Sequence, residues 1–199
     1  MMTTLLPLKK MPAATTPFDG RTSGPALSEV EGTPATASIM SYVRIESPLG
    51  PLLLAADDAG LRSIEFVNGK RPVRPDPAWR ENPPALREPI RQLNAYFGGD
   101  LEVFDLPLAP VGTPFQLAVW RRLCEIPYGE TISYGELARR LGNPNASRAV
   151  GLANGANPIS IVIPCHRVIG SNGKLTGYGG GLPIKEKLLA LERRQLRLL

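Results

Sequence analysis

The sequence predicts a small α/β unit over residues 40–108, a little sheet with one helix, followed by a mainly α unit over residues 113–199 with a helix-turn-helix outline. Three observations lead there. Short β-type runs separated by turn signals crowd the stretch from Ser41 to Val67. Leu86, Ile90, Leu93 and Phe97 recur at helical spacing and stop at Gly98-Gly99. After Val111-Gly112, capped helical segments alternate with Gly-Asn-Pro and Asn-Pro breaks.

Taken in order, residues 1–39 are rich in Thr, Ala, Pro, Ser and Gly and read as a disordered tail or a mis-called start, with Met40 as the true first residue. SYVRIESPLGPLLLAADDAGLRSIEFV reads as strands with turns at Ser47–Gly50 and Asp57–Gly60. Residues 68–84, rich in Pro and charge, read as a loop, and no chemistry is evident in this first unit. Thr113 is an N-cap with Pro114 at the first helical position, opening a mostly buried helix that runs to Ile126-Pro127. Cys124, four residues after Trp120 on that helix, reads as a core thiol. Ser133 and Glu136 have the spacing of a capping box, and their helix stops at Gly142-Asn143-Pro144. Ser147 then caps a second helix, Arg148 to Ala156.

That second helix carries Ala149, Gly151, Ala153, Gly155 and Ala156, with Arg148 its one charge. Small residues allow close approach to another surface, and both a DNA minor groove and a neighbouring helix satisfy the pattern. Ile159–Ile163 is a β-branched run leading into Pro164-Cys165-His166. The glycine cluster GYGGG, Gly177 to Gly181, requires mobility or positive φ and is no phosphate loop, since no Gly-Lys-Ser/Thr follows. Pro183 starts the last helix, with Ile184, Leu188 and Leu191 as its apolar stripe and Glu192 at the stripe's edge. Glu192 is either a surface residue or a partly buried one in need of a partner, with His166 the obvious candidate.

Hydrophobic residues make up 43% of the chain, enough for a core, yet no apolar run approaches the ~20 residues that span a bilayer. No secretory pattern opens the chain, so a soluble, cytoplasmic protein with reduced thiols and no membrane association is expected. The net charge is +5, and residues 143–199, with eight basic and two acidic residues, hold the excess. A polyanionic partner, nucleic acid first, fits this charge; a merely solvated basic face fits it too.

The chain has one histidine, directly after one of two cysteines. A disulfide is disfavoured in a reducing compartment, and one His with two isolated Cys cannot supply four zinc ligands, so no metal is expected. A core thiol and a nucleophile remain. Cys165, His166 and Glu192 would supply nucleophile, base and orienting acid. Neighbours in extended chain point to opposite sides, so Cys165 and His166 would meet through a water unless the chain turns there. Residue types alone name no electrophile.

IPCHRVIG, preceded by GETISYGELA and SRAVGLANGANP and followed by GYGGGLPIKEKLLALE, resembles the O6-alkylguanine-DNA alkyltransferases, also called methylated-DNA–protein-cysteine methyltransferases. The resemblance runs without a gap from Thr113 to Glu192, and SPLGPLLLAADDAGL resembles the start of the bacterial members' N-terminal domain. It implies a ribonuclease-H-like α/β domain joined to a winged-helix-like C-terminal domain. It also implies single-turnover transfer of an alkyl group from O6-alkylguanine, with O4-alkylthymine a further substrate, onto Cys165, after nucleotide flipping through the minor groove of double-stranded DNA.

By position, Cys165 matches the alkyl acceptor, and His166 and Glu192 match the water-linked triad. Asn157 matches the hinge asparagine, Tyr134 the tyrosine that assists rotation and bonds guanine, and Arg148 the arginine finger. Ala149, Gly151 and Ala153 lie on the DNA-binding helix; Val168, Tyr178 and Gly179 match pocket positions, and Lys185 a lysine near the nucleophile. The resemblance implies a monomer without cofactor. The zinc site of some members is not expected, because the single histidine is already placed, nor is the extra regulatory domain of others. A lesion sensor that binds alkylated DNA without transfer is the alternative, disfavoured by the presence of Cys165; a Cys-His hydrolase is a third reading.

Overall fold

Residues 39–69 and 73–196 are described by the structure, a computed structural model. The reading of residues 1–39 as a tail thus falls, Ile39 apart, outside the described residues. Strands β1 (Ser41–Ile45), β2 (Leu52–Asp57) and β3 (Gly60–Phe66) form an antiparallel meander. Ser47 closes the first turn: its hydroxyl donates to the Gly50 carbonyl and accepts from the Leu49 N–H. Gly50, at φ 101°, takes the left-handed conformation that turn requires. Leu52, Leu53, Leu54 and Ala55 in β2 are all buried, which explains their unbroken apolar run.

The loop expected over residues 68–84 is not structureless throughout. Arg80–Glu81 forms β4, parallel to β1, and Pro83–Leu86 makes a 3₁₀ turn. Nothing in an Arg-Glu pair signals a strand; the free edge of β1 supplies the partner. The sheet order is β3-β2-β1-β4. Helix α1 (Arg87–Gly98) buries Gln92, Leu93 and Tyr96, and Gly99, at φ 91°, ends it as the glycine pair predicts.

In the second unit, α2 (Pro114–Leu123) opens on Thr113 with a complete capping box, Gln116 reciprocating. Its buried side is Val119, Trp120 and Leu123, whereas Phe115 is exposed, so the helix is less buried than its composition suggests. Two-residue β5 (Ile132–Ser133) leads into α3 (Tyr134–Arg140). Ser133 accepts the Glu136 N–H, but only half of the expected box forms: the Glu136 carboxylate pairs with Arg139 at 2.7 Å and Arg140 at 3.0 Å instead.

A 3₁₀ turn, Pro144–Ala146, feeds directly into α4 (Ser147–Gly155). Ser147 is therefore the first helical residue, at φ −55°, and not the expected cap. Two-residue β6 (Val168–Ile169) pairs parallel with β5, and α5 (Leu182–Leu196) closes the described chain.

One core runs through both units and includes Leu54, Leu93, Tyr96, Trp120, Leu137, Val150, Ile163 and Leu188. The free edge of β3 binds the second unit: the Ile64 N–H donates to the Pro158 carbonyl, and the Ile64 carbonyl accepts from Ser160. None of the helices among the described residues is long and apolar enough to cross a membrane.

Candidate active site

The β-branched run Ile159–Ile163 is no strand. Only Ile159 makes a bridge, to Ile64, and the chain then turns. Val162 N–H donates to the Ser160 carbonyl across Ile161, which sits at φ 73°. This is the strained kind of three-residue turn, at a β-branched residue that disfavours it. Asn157 sustains it: its amide nitrogen donates to the Ile163 carbonyl at 2.8 Å, while its oxygen accepts the Ile159 N–H at 3.0 Å. Asn157, just past the end of α4, thus ties that end to the run leading into Cys165. Asn154, which sequence reasoning missed, is buried one helical turn earlier, and its amide reaches the Cys165 carbonyl at 3.4 Å.

Cys165–Arg167 forms a single 3₁₀ turn, so the chain does turn at the Cys-His pair. Cys165 is 4% exposed and His166 is fully buried. Neither cysteine is in a disulfide. His166 Nε2 lies 2.9 Å from Glu192 Oε1, so with an ionised Glu192 this nitrogen carries the proton and donates. Nδ1 is left with its lone pair, buried and with no hydrogen-bond partner among the described residues.

Glu192 is not at the edge of the α5 stripe but within it. The buried face of α5 is Lys185, Leu188, Leu189 and Glu192, flanked by Ile184 and Leu191. Two charged residues occupy core positions because each finds partners there. Glu192 accepts from Tyr96 at 2.8 Å, the Gly129 N–H at 3.0 Å, His166, and Arg167 through Nε and Nη2, each at 3.0 Å. Arg167 also donates to the Ile126 carbonyl and lies over the Tyr128 ring. Lys185 donates to the carbonyls of Val168 at 2.6 Å and Thr176 at 2.8 Å. Arg167 and Tyr96 were missed in the sequence; the arginine directly after the Cys-His pair was the one available sign, and Tyr96 offered none.

The electrostatics divide the roles. Burial works against the Glu192 carboxylate, but His166 and Arg167 outweigh it and hold its pKa at about 2. Burial pushes His166 below its ordinary value, against the pull of Glu192 and with help from Arg167 and Lys185. Burial raises the Cys165 thiol, while the Asn157 amide and the Lys185 charge oppose that rise. Burial brings Lys185 down to about 8. At neutral pH the resting pair is therefore a protonated thiol and a neutral imidazole beside a fixed carboxylate.

The remaining expected residues divide by position. Tyr178 is buried, its ring edge-on to His166 at 6.5 Å and to Phe66 at 6.0 Å. Gly179 is exposed beside it, and in the glycine cluster Gly177 and Gly181 take positive φ. Val168 is buried, and its carbonyl is held by Lys185. Tyr134 opens α3, and a Cβ added at Gly151 would lie 3.8 Å from its ring. Arg148 and Ala149 are exposed on α4, and Gly151 is half-buried.

Ala153 does not belong with them. It is 3% exposed, and its carbonyl accepts the Trp120 indole N–H, so it serves helix packing and is not available to a ligand. The helix-packing reading of the small-residue helix thus holds for its inward face, which buries Val150, Ala153 and Asn154. The outward face carries Leu152, 74% exposed, which the sequence did not single out.

A buried cysteine thus stands next to a buried histidine whose ring is held by a carboxylate. Residues 40–110 match the family profile described as the 6-O-methylguanine DNA methyltransferase ribonuclease-like domain, and residues 114–194 that of the 6-O-methylguanine DNA methyltransferase DNA binding domain. The methylated-DNA–protein-cysteine methyltransferase of Methanosarcina acetivorans is 60% identical over 77% of this chain and 98% of its own. That of Mycolicibacterium paratuberculosis is 55% identical over 78% of this chain and 94% of its own. The crystal structure of Mycobacterium tuberculosis OGT in complex with DNA superposes with a TM-score of 0.73 at 50% identity, covering 78% of this chain and 94% of that one. The chain belongs to the methylated-DNA–protein-cysteine methyltransferase family.

Proposed function

We propose that the protein repairs DNA by direct reversal, moving the methyl or other alkyl group of O6-alkylguanine in duplex DNA onto its own Cys165. The observation that carries this is the buried row Cys165, His166 and Glu192, in which His166 turns an unpartnered Nδ1 lone pair to the interior while Nε2 donates to a fixed carboxylate. A water between Nδ1 and Sγ relays the thiol proton to the imidazole. The thiolate then attacks the alkyl carbon in line. The S–C bond forms, the O6–C bond breaks, and the electron pair leaves on guanine, which Tyr134 helps to neutralise by a hydrogen bond. The product thioether is a poor leaving group, so each molecule acts once, as a monomer and without a cofactor.

Cys165, at 4% exposure, cannot reach a base stacked inside a duplex. The nucleotide must rotate out, at a cost of a few kcal/mol. Arg148 and the outward face of α4, on a basic second unit, suit minor-groove docking, with Arg148 filling the vacated stack. Tyr178, Gly179 and Val168 line the receiving pocket, and Lys185 favours the thiolate. The same pocket chemistry extends to O4-alkylthymine. Free thiols at Cys124 and Cys165 suit a reducing compartment, the cytoplasm.

The test is the intact-protein mass after mixing with duplex DNA that carries one O6-methylguanine, beside Cys165→Ser. One methyl group per wild-type molecule, located on Cys165 and absent from the variant, is expected. Lesion binding with no change in mass would replace this reading with a non-catalytic sensor.

A further inference from the structure

The first unit, which looked chemically silent in sequence, places one hydroxyl in the site. Tyr96, on α1, is completely buried, and its hydroxyl donates to Glu192 Oε1 at 2.8 Å. The same oxygen lies 2.9 Å from His166 Nε2 and 3.0 Å from Arg167 Nη2. We propose that Tyr96 is a positioning residue for alkyl transfer, its hydroxyl holding the carboxylate oxygen that orients His166 and thereby setting how strongly the imidazole takes up the thiol proton. The proposal rests on the roles given above to Cys165, His166 and Glu192.

The ring cannot swing away. It is packed against Phe97 at 5.6 Å, Phe104 at 5.3 Å and Tyr128 at 6.1 Å between centroids. A phenylalanine would satisfy those aromatic neighbours equally well, so the hydroxyl is accounted for by Glu192 alone. Burial and the Glu192 charge push the phenol far above its usual range, which keeps it a donor at every working pH.

An oxygen shared by three donors offers each of them less negative charge. The groups facing His166 are Glu192, which raises its proton affinity, Arg167 and Lys185, which lower it, and the Cys165 thiol and Tyr178 ring. Behind Glu192 stand Tyr96 and Tyr128. Removing the Tyr96 hydroxyl leaves more of the carboxylate's charge to His166, so the imidazole protonates at higher pH. A protonated imidazole cannot accept the thiol proton, so the acid limb of the transfer rate moves to higher pH as well.

The test uses Tyr96→Phe in the full chain, with Tyr128→Phe as the control in the same aromatic cluster. His166 is the only histidine, so an NMR titration of an untagged sample reads its pKa without any activity. In Tyr96→Phe both that pKa and the acid limb of the single-turnover methyl-transfer rate should rise by about half to one pH unit. Tyr128→Phe should move neither. An unmoved His166 titration overturns the proposal, as does a lower rate plateau with an unmoved acid limb, since either result makes Tyr96 a packing residue. Failure of Tyr96→Phe to fold overturns it too, because the hydroxyl would then be a structural strut. If wild-type protein transfers no methyl group but the titration still shifts, the proposed function fails while the positioning of His166 stands.

Discussion

Glu192→Gln should be the most costly single-atom change in the molecule. Oε1 faces Tyr96, His166 and Arg167, and Oε2 faces Gly129 and Arg167. Whichever oxygen becomes an amide nitrogen, it confronts at least two donors, and the Arg167 charge loses its buried partner. Breaking a buried pair from one side costs about 3–5 kcal/mol. The titration leads to a similar size. With a folded pKa near 2 against an ordinary 4.5, the carboxylate contributes on the order of 3 kcal/mol.

The sign follows from the depressed value. That stability is fully present above pH 4.5 and is lost as the pH falls through the folded pKa near 2. Urea unfolding of wild type and Glu192→Gln at pH 7, and again stepwise down to pH 2.5, measures both quantities. The variant should be less stable by about 3 kcal/mol or more at pH 7, with the gap narrowing below pH 4.5. A loss under about 1 kcal/mol, or a gap independent of pH, would refute the view of Glu192 as a locked carboxylate.

Three other outcomes are expected. Lys185→Met should raise the apparent pKa of Cys165, since the ammonium is among the groups that lower it; the rate of thiol alkylation against pH reads this directly. Asn157→Ala should remove the anchors of the Ile161 turn and lower stability by about 1–3 kcal/mol, with slower methyl transfer, because the buried Ile163 carbonyl loses its donor. Arg148→Ala should leave thermal stability within about 0.5 kcal/mol of wild type, the residue being exposed, yet weaken binding to duplex DNA and reduce its salt slope by about one.

Much of the fold was legible because its signals are local. The strand turns, the helical repeat ending at Gly98-Gly99, the Thr113 cap and the Ser133 cap all depend on residues within a few positions of one another. Local signals failed where another part of the chain was the partner. Arg80–Glu81 became a strand only because β1 offered an edge, and Ile159–Ile163 turned instead of extending because Ile64 and Asn157 bind its backbone. Ser147 lost its capping role to the 3₁₀ turn that runs into it.

By itself, the sequence narrowed the Cys-His pair to a core thiol or a nucleophile with Glu192 as a candidate partner, and the resemblance to the alkyltransferases favoured the nucleophile. Only the tertiary structure decided that Glu192 is buried rather than exposed, that Arg167 and Tyr96 share it, and that Ala153 faces inward. The physical reason is the same in each case. A buried charge is tolerable only where several donors converge, and the donors to Glu192 on α5 come from α1, the loop after α2 and the 165–167 turn, distances along the chain that no local pattern records.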